Sequence, residues 1–170
     1  MNRNFTRKNF ISLFTLGGTA LFVALKPRAY GQQPPQIPAP RNPLDRELVK
    51  EFVIKGHSDL PAVKQLLEKE PGLLNACWDW GAGDFETALE GAGHMGNKEI
   101  ARFLLSKGAR INLFCAAMLG QLEVVKGILA LDPGLKFSKG PHGLQLLHHA
   151  TKGGAEAAPV LEYLQSIGAQ

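Results

Sequence analysis

The sequence predicts an all-α domain made of about four stacked helix-turn-helix units. Four apolar segments end at glycine, at Gly56, Gly96, Gly120 and Gly153. Each is followed by a second segment whose apolar residues recur at the i, i+3, i+4 spacing of a helix that buries one face. A single helical hairpin of this size cannot bury its apolar face alone, so neighbouring units are expected to stack into one core.

The second helix of each unit gives the clearest pattern. The four apolar stripes comprise Val63, Leu66 and Leu67; Ile100, Phe103 and Leu104; Val124, Val125, Ile128 and Leu129; and Val160, Leu161 and Leu164. Each of these helices is predicted to end at a turn signal. The signals are Pro71-Gly72, Gly108, Pro133-Gly134 and Gly168. The units therefore divide at approximately 44–74, 75–112, 113–134 and 135–170.

Residues 1–31 have the composition of a signal peptide. They carry five basic side chains and no acidic one, and the apolar run ISLFTLGGTALFVAL has 15 residues, fewer than the about 20 that span a bilayer. RAYG then places small residues before a cleavage site, so we expect cleavage after Gly31 and a periplasmic or otherwise exported protein. TRKNFI resembles the twin-arginine motif with Lys8 replacing the second arginine, which leaves the Tat and Sec routes open. An uncleaved N-terminal anchor is the alternative.

Residues 32–43 contain five prolines and are expected to form an extended linker before a domain that covers 44–170. Beyond residue 31 the chain has 14 basic and 15 acidic side chains, so its basic character comes from the N-terminus. Nucleic-acid binding requires a basic face on the folded domain, and we expect no nucleic-acid partner. Contact with a membrane is expected only through the signal peptide, during export or if it is left uncleaved.

Three stretches resemble ankyrin repeats. The family pattern is G-x-T-P-L-H-x-A-A-x-x-G-H-x-E-V-V-x-L-L-L-x-x-G-A. The best match, ETALEGAGHMGNKEIARFLLSKGA at 86–109, agrees at Thr87, Leu89, Ala92, Gly96, Glu99, Ile100, Leu104, Leu105, Gly108 and Ala109. CAAMLGQLEVVKGIL at 115–129 and HGLQLLHHA at 142–150 agree over shorter spans. The resemblance covers nearly all of 44–170 and implies an ankyrin-repeat solenoid.

The chain departs from the ankyrin pattern in its connections. Gly96 and Gly120 are 24 residues apart, against a family period of about 33, so the β-hairpin finger between them is expected to be almost missing. The connection PGLLNACWDWGAGDFE is long by comparison. The motifs WDWG, AAMLG and GPHG together resemble those of small exported bacterial ankyrin-repeat proteins. This resemblance supports the predicted export more than it supports any mechanism.

The resemblance implies a non-catalytic protein–protein interaction module that binds an unidentified protein or peptide through its concave face. The predicted partner-binding residues occupy non-pattern positions of the fingers and first helices. They are Trp78, Asp79, Trp80, Asp84, Phe85, Cys115, Phe137, His142 and His149. The missing finger at Asn112 is expected to leave a notch in which a tryptophan anchors the partner. Packing of the two tryptophans into the vacated space is the alternative.

A small-ligand or metal-binding protein, or an enzyme, is the other class considered. It would use the Trp/Asp loop at 77–86 and the histidines of 142–149. His148 stands at the histidine of the family's T-P-L-H, where it resembles a structural residue, and no carboxylate lies between Asp132 and Glu156. We therefore assign no metal ligand, no cofactor and no catalytic residue, and we expect no enzyme activity. Cys77 and Cys115 could form a disulfide in an exported protein or remain two small half-buried residues.

Overall fold

The computed structural model describes residues 42–169, so the predicted signal peptide and most of the predicted linker lie outside the described residues. Eight α-helices occur in the described range. They are α1 (Arg46–Gly56), α2 (Leu60–Lys69), α3 (Ala88–Met95), α4 (Lys98–Ser106), α5 (Leu113–Met118), α6 (Leu122–Leu131), α7 (Leu146–Lys152) and α8 (Ala158–Ser166). With a single two-stranded sheet beside them in this range, the all-α prediction is confirmed. None of these helices is long and apolar enough to cross a membrane.

The helices pack in consecutive pairs, α1 with α2, α3 with α4, α5 with α6, and α7 with α8. The first helices of the pairs also contact one another, because α3 packs against α1, α5 and α7, and α5 packs against α7. Two apolar clusters fill the interior. Phe52, Ile100 and Leu104 lie in the first and Leu146 and Leu164 in the second, and all five are fully buried. Helix α3 therefore stands at the centre of the packing.

Side-chain caps determine where α3 and α5 begin. Helix α3 starts with a capping box: Thr87 Oγ1 accepts the Glu90 N–H at 3.2 Å, and Glu90 Oε2 accepts the Thr87 N–H at 2.8 Å. Asn112 caps α5 by accepting the Cys115 N–H at 2.8 Å. Asn112 Nδ2 also donates to Glu90 Oε1 at 2.8 Å, which ties the two helix starts together. No strand lies between α4 and α5, both within the described residues, in agreement with the predicted loss of this finger.

The connection between α2 and α3 contains the hairpin. Strand β1 (Cys77–Asp79) pairs antiparallel with β2 (Phe85–Thr87). The turn between them has positive φ at Gly81 (121°), Ala82 (54°) and Gly83 (84°). Glycine adopts such angles without steric cost, which is why the sequence places two glycines in this turn.

The connection before α7 forms a smaller loop of the same kind. Lys139 and Gln145 make an isolated antiparallel bridge, and the turn inside it has positive φ at His142 (58°) and Gly143 (70°). The hairpin leads into α3 and this loop leads into α7. Because α3 packs against α7, the tips of the two loops are brought side by side.

A glycine after α5 provides a test of the packing. Gly120 has φ 70°, and a Cβ atom there would lie 2.2 Å from the Glu156 carbonyl oxygen. We expect Gly120→Val to lower the free energy of unfolding by more than about 3 kcal/mol, because left-handed strain of about 1–3 kcal/mol adds to a backbone clash. The matched control is Gly127→Ala in α6, where the Cβ meets open space and helix propensity favours alanine by up to about 1 kcal/mol. Urea denaturation followed by circular dichroism measures both. Similar midpoints for the two variants would contradict this packing.

Candidate metal centre

Four side chains from separate segments converge beside the hairpin. They are His57, Glu86, His94 and His142, and one ligand atom from each lies within 4.8 Å of the others. His57 caps the C-terminus of α1, Glu86 is the middle residue of β2, and His94 lies in the last turn of α3. His142 occupies the turn before α7. The packing of α3 against α1 and α7 therefore unites residues that are far apart in the sequence.

Two glycines make room for His57. A Cβ atom on Gly56 would lie 2.6 Å from the Cα of Ala88, so the end of α1 approaches α3 only because residue 56 has no side chain. A Cβ atom on Gly91 would lie 2.8 Å from Nδ1 of His57. The glycine at position 91 of the GAGHMG segment thus allows close packing of an imidazole ring against α3.

Glu86 occupies the middle of the cluster and is completely buried. Its Oε1 atom lies 3.5 Å from Nε2 of His57 and 3.4 Å from Nε2 of His94. Its Oε2 atom accepts a 2.8 Å hydrogen bond from Nε1 of Trp80 and lies 3.5 Å from Nε2 of His142. Burial raises the pKa of Glu86, and His57 and the Trp80 hydrogen bond partly offset that rise. Three imidazoles and one indole therefore surround one desolvated carboxyl group.

Two buried polar atoms in this cluster lack hydrogen bonds. They are Oε1 of Glu86 and Nε2 of His94, the only such side-chain atoms among residues 42–169. They lie 3.4 Å apart, yet the pair does not meet the angular requirements of a hydrogen bond. Burial lowers the pKa of His94 to about 4, and the neighbouring His57 adds to this shift. His94 is therefore a neutral imidazole at pH 7, the form that binds metals. Unpaired buried polar atoms are costly, and here they are also potential metal ligands.

The other two histidines are oriented by hydrogen bonds at Nδ1. His57 Nδ1 donates to the Val53 carbonyl at 2.9 Å, and His142 Nδ1 donates to Oδ2 of Asp84 at 2.9 Å. Because Nδ1 carries the proton in each donating ring, Nε2 keeps its lone pair when the imidazole is neutral. Both Nε2 atoms face Glu86. A metal-binding histidine typically donates its second nitrogen to a carbonyl or carboxylate in this way.

Asp84 holds His142 by two bonds. Besides the Nδ1 contact, its Oδ1 atom accepts the backbone N–H of His142 at 2.8 Å. These bonds, the backbone one first, lower the pKa of Asp84, which keeps it ionised at pH 7. His142 itself has φ 58° and ψ 19°, a left-handed conformation that costs a residue other than glycine about 1–2 kcal/mol. Asp84 therefore sustains a strained residue whose ring is aimed at the cluster.

The separations within the cluster suit a metal ion. Each imidazole Nε2 lies 3.4 to 3.5 Å from an oxygen of the Glu86 carboxylate. In a tetrahedral zinc site with bonds of about 2.0–2.1 Å, neighbouring ligand atoms are about 3.3–3.4 Å apart. Imidazole and carboxylate are ligands that zinc and other divalent first-row metals accept. The four side chains can therefore coordinate such an ion with small adjustments.

The fold places the predicted partner-binding residues in different environments. Trp80, Asp84 and His142 belong to the cluster or bond directly to it. Cys115 and His149 are each 1% exposed, so their side chains offer no surface to a docking partner. Both carboxylate oxygens of Asp84, a predicted partner-binding residue, bond to His142 in the structure.

The remaining predicted partner-binding residues lie at the surface. Asp79, Phe85 and Phe137 are exposed. Trp78 is half-buried, packs against the first apolar cluster and has the Arg46 guanidinium 5.5 Å from its ring centre. Packing therefore accounts for Trp78, whereas Trp80 remains 37% exposed while donating to Glu86.

A groove lies between the two loops, where the sequence predicted a notch. We call it the loop groove. It has a volume of about 420 Å³ and is lined on one side by residues 83–85 and on the other by residues 138–141. Residues 112–114, Glu90 and Leu135 complete its lining. The short connection into α5 thus leaves a concave surface beside the cluster.

Two of the four cluster residues, His57 and His94, were missed by sequence reasoning. Glu86 lies within the loop 77–86 that the alternative function combined with the histidines of 142–149, but it was not singled out as a ligand. His148 does have a structural role, since its Nε2 donates to the His94 carbonyl at 2.9 Å. The available signal was an acidic residue directly before the Thr87 cap and next to Phe85.

Neither cysteine adds a nucleophile to the site. Both are free thiols in the structure. Burial raises the pKa of Cys115 to about 12, and partial burial, followed by the charge of Glu90, raises that of Cys77. Both are therefore protonated at neutral pH.

No protein-family model matches this chain, and no curated protein matches it. The cluster and its hydrogen bonds are therefore the basis for its proposed function.

The bond from Trp80 to Glu86 can be tested by mutation. Trp80→Phe retains most of the ring but leaves Oε2 of Glu86 without its donor, which typically costs about 1–3 kcal/mol for a buried group. Trp78→Phe is the control, since Nε1 of Trp78 makes no hydrogen bond with the described residues. Urea denaturation of chelator-treated protein should show the loss for Trp80→Phe only. Equal losses would mean that ring packing, and not the hydrogen bond, matters at both positions.

Proposed function

We propose that this protein is a non-catalytic, ankyrin-like domain that binds one divalent transition-metal ion through His57, Glu86, His94 and His142. One observation carries the proposal: a buried carboxylate oxygen and a buried imidazole nitrogen lack hydrogen bonds and face each other within a ring of metal-binding atoms. A cation between them would satisfy both atoms and offset the desolvated charge of Glu86.

Zinc is the ion that this ligand set favours most. Zinc accepts nitrogen and oxygen ligands in tetrahedral geometry without redox chemistry, and each imidazole Nε2 lies 3.4 to 3.5 Å from a Glu86 oxygen, close to the edge of a zinc tetrahedron. Catalytic zinc sites generally have three protein ligands and one position for water, whereas closed sites have four. The four side chains here therefore support a binding role.

An ankyrin-like architecture is supported by the sequence pattern together with the helix contacts. The motif stretches coincide with α3–α4, α5–α6 and the start of α7. Gly96 and Gly120 both take left-handed φ angles, 78° and 70°, directly after the first helix of their pairs. A different turn recurs after the second helices of the first and third pairs, where Glu70 and Asp132 each accept the N–H of the glycine two residues later. These correspondences favour repeated units over an unrelated helical bundle.

The ligand chemistry is also compatible with the proposed export. Thiolate ligands are lost to oxidation outside the cytoplasm, whereas imidazole and carboxylate ligands do not form disulfides. The cluster contains no cysteine. A metal centre of this composition would keep its ligands in an oxidising compartment.

Metal analysis and zinc titration test the proposal. Purified protein should contain about one zinc per chain, and chelator-treated protein should regain it in isothermal titration calorimetry. Glu86→Gln keeps the size of the side chain but removes its charge, so zinc affinity should fall at least about 100-fold, beyond the 10–100-fold typical of changes around a metal's ligands. Glu162→Gln, at an exposed position of α8, is the control. Wild-type protein without measurable affinity for zinc, copper, nickel, iron or cobalt would refute the proposal.

In the absence of metal, Glu86→Gln should not lower the stability of the fold. Removing a buried carboxylate charge should leave the melting temperature of chelator-treated Glu86→Gln equal to or above that of wild type. Excess zinc should then raise the melting temperature of wild type only, since a ligand at 100 times its Kd adds about 2.7 kcal/mol. A variant that is less stable than wild type under both conditions would indicate a purely structural glutamate.

A second candidate function is supported by the loop groove. Its position beside the exposed Phe85 favours an extended segment of a partner protein, as the ankyrin resemblance implies. Because Phe85 is 58% exposed, Phe85→Ala should leave the melting temperature near that of wild type. Partner binding, established by pull-down and measured with the purified partner, should weaken about thirtyfold or more, the effect of losing about 2 kcal/mol at an anchor. Unchanged binding would place the partner elsewhere.

A further inference from the structure

The four proposed ligands are not held equally. Glu86 and His94 are buried within β2 and α3, and the His57 side chain is 22% exposed at the end of α1. These three are carried by elements that pack directly on one another. The His142 side chain is 35% exposed and lies in a turn between two bridged residues. Three ligands therefore form a fixed set, and the fourth approaches from the solvent side.

The hydrogen bonds that orient His142 all come from one neighbouring side chain. His57 is oriented by backbone carbonyl oxygens of its own helix, at Val53 and Ile54. His142 is oriented by a single side chain, Asp84, from the tip of the neighbouring hairpin. Loss of Asp84 would leave the left-handed φ of His142 without its backbone bond and the ring without its Nδ1 acceptor. The fourth ligand can thus move without disturbing the other three.

We infer that the ion is exchangeable cargo rather than a permanent structural ion, that His142 is the ligand that leaves first, and that Asp84 is the positioning residue that sets the rate. The inference rests on the proposed metal-binding function. In the exchange step the bond from the ion to Nε2 of His142 breaks, and the ion forms a bond to one incoming neutral donor. No electrons are transferred, and the oxidation state of the ion does not change.

The incoming donor that fits this position is an imidazole. The position is vacated by an imidazole, faces solvent, and is bordered by the Trp80 indole, whose ring centre is 6.0 Å from that of His142. An aromatic nitrogen donor can stack there and bind the ion along the same direction. The expected acceptor class is therefore a histidine-presenting metal-binding protein, whose imidazole would replace His142 on the ion in the first step of transfer; release would then require the bonds to His57, Glu86 and His94 to break in turn.

Exchange kinetics test the role of Asp84. Zinc-loaded full-length protein is mixed with an excess of chelator, and zinc loss is followed by stopped flow. Asp84→Asn should accelerate zinc loss about 10–100-fold with a small effect on the association rate, the scale typical of a residue that orients a metal ligand. Asp79→Asn is the control, because Asp79 lies in the same hairpin and accepts only the Gly81 N–H. An Asp84→Asn rate equal to that of wild type would overturn the inference.

Chemical rescue tests His142 itself. His142→Gly removes the ring at a position where φ is 58°, an angle that glycine adopts readily, so the variant should fold. It should retain zinc with weakened affinity, and imidazole at millimolar concentration should restore tighter binding and the cobalt absorption spectrum of wild type. His94→Ala should not respond to imidazole, because its buried position does not face solvent.

The outcomes separate the two proposals. Failure of wild-type protein to bind any metal would refute the proposed function, and the inference with it. Metal binding by wild type, combined with no rescue of a folded His142→Gly variant, would refute only the exchange inference and favour a permanent ion. Rescue by imidazole but not by a histidine-containing peptide would limit the donor to small molecules and overturn the protein-acceptor assignment.

Discussion

The burial of the Glu86 carboxylate is the constraint on which the surrounding structure depends. Its side chain is completely enclosed and has a single hydrogen-bond donor, the indole of Trp80. That donor reaches Glu86 only because the tight turn at 81–83 folds β1 back onto β2. The next residue, Thr87, then begins the capping box of α3. One strand of three residues thus positions a buried acid, its donor and the central helix.

Hydrogen bonds to residues of α3 fix the positions of other helices as well. Glu90 completes the cap at Thr87 and also accepts from Asn112, so the start of α5 is fixed relative to α3. His148 donates to the His94 carbonyl, which connects α7 with the end of α3. Two neighbours of α3, α5 and α7, are therefore joined to it by a polar contact as well as by apolar packing. These contacts leave little freedom in the relative positions of the cluster residues.

Much of the fold could be predicted from local sequence, because helices are encoded by short-range patterns. Apolar spacing located α4, α6 and α8, and the terminal glycines fixed their limits. The short spacing before Asn112 predicted that no hairpin separates α4 from α5. Each of these signals lies within a few residues of the structure that it determines.

The cluster could not be predicted in this way, since its members come from four segments. His142 was recognised as a candidate, but its carboxylate partner, Glu86, precedes it by more than one helical pair. His57 follows a helix-ending glycine and reads as a turn residue, and His94 reads as part of a glycine-rich helix. Their convergence depends on the approach of α1 to α3 at Gly56, which is a tertiary contact. Periodicity shows which face of a helix is buried, but not which polar residues meet there.

The proposed ligands come from the first, second and fourth helical pairs. This distribution affects how the chain unfolds locally. Linear arrays of helical pairs contact mainly their neighbours, so their ends fray before their middles. Here the bond between Asp84 and His142 already joins the second pair to the fourth, and an ion bound by His57 and His142 would join the first pair to the fourth. With the ion bound, the helical pairs would form a closed ring of contacts, in which neither the first pair nor the fourth could detach alone. Amide hydrogen exchange in the terminal helices would then report the loading of the centre, although those helices lie outside it.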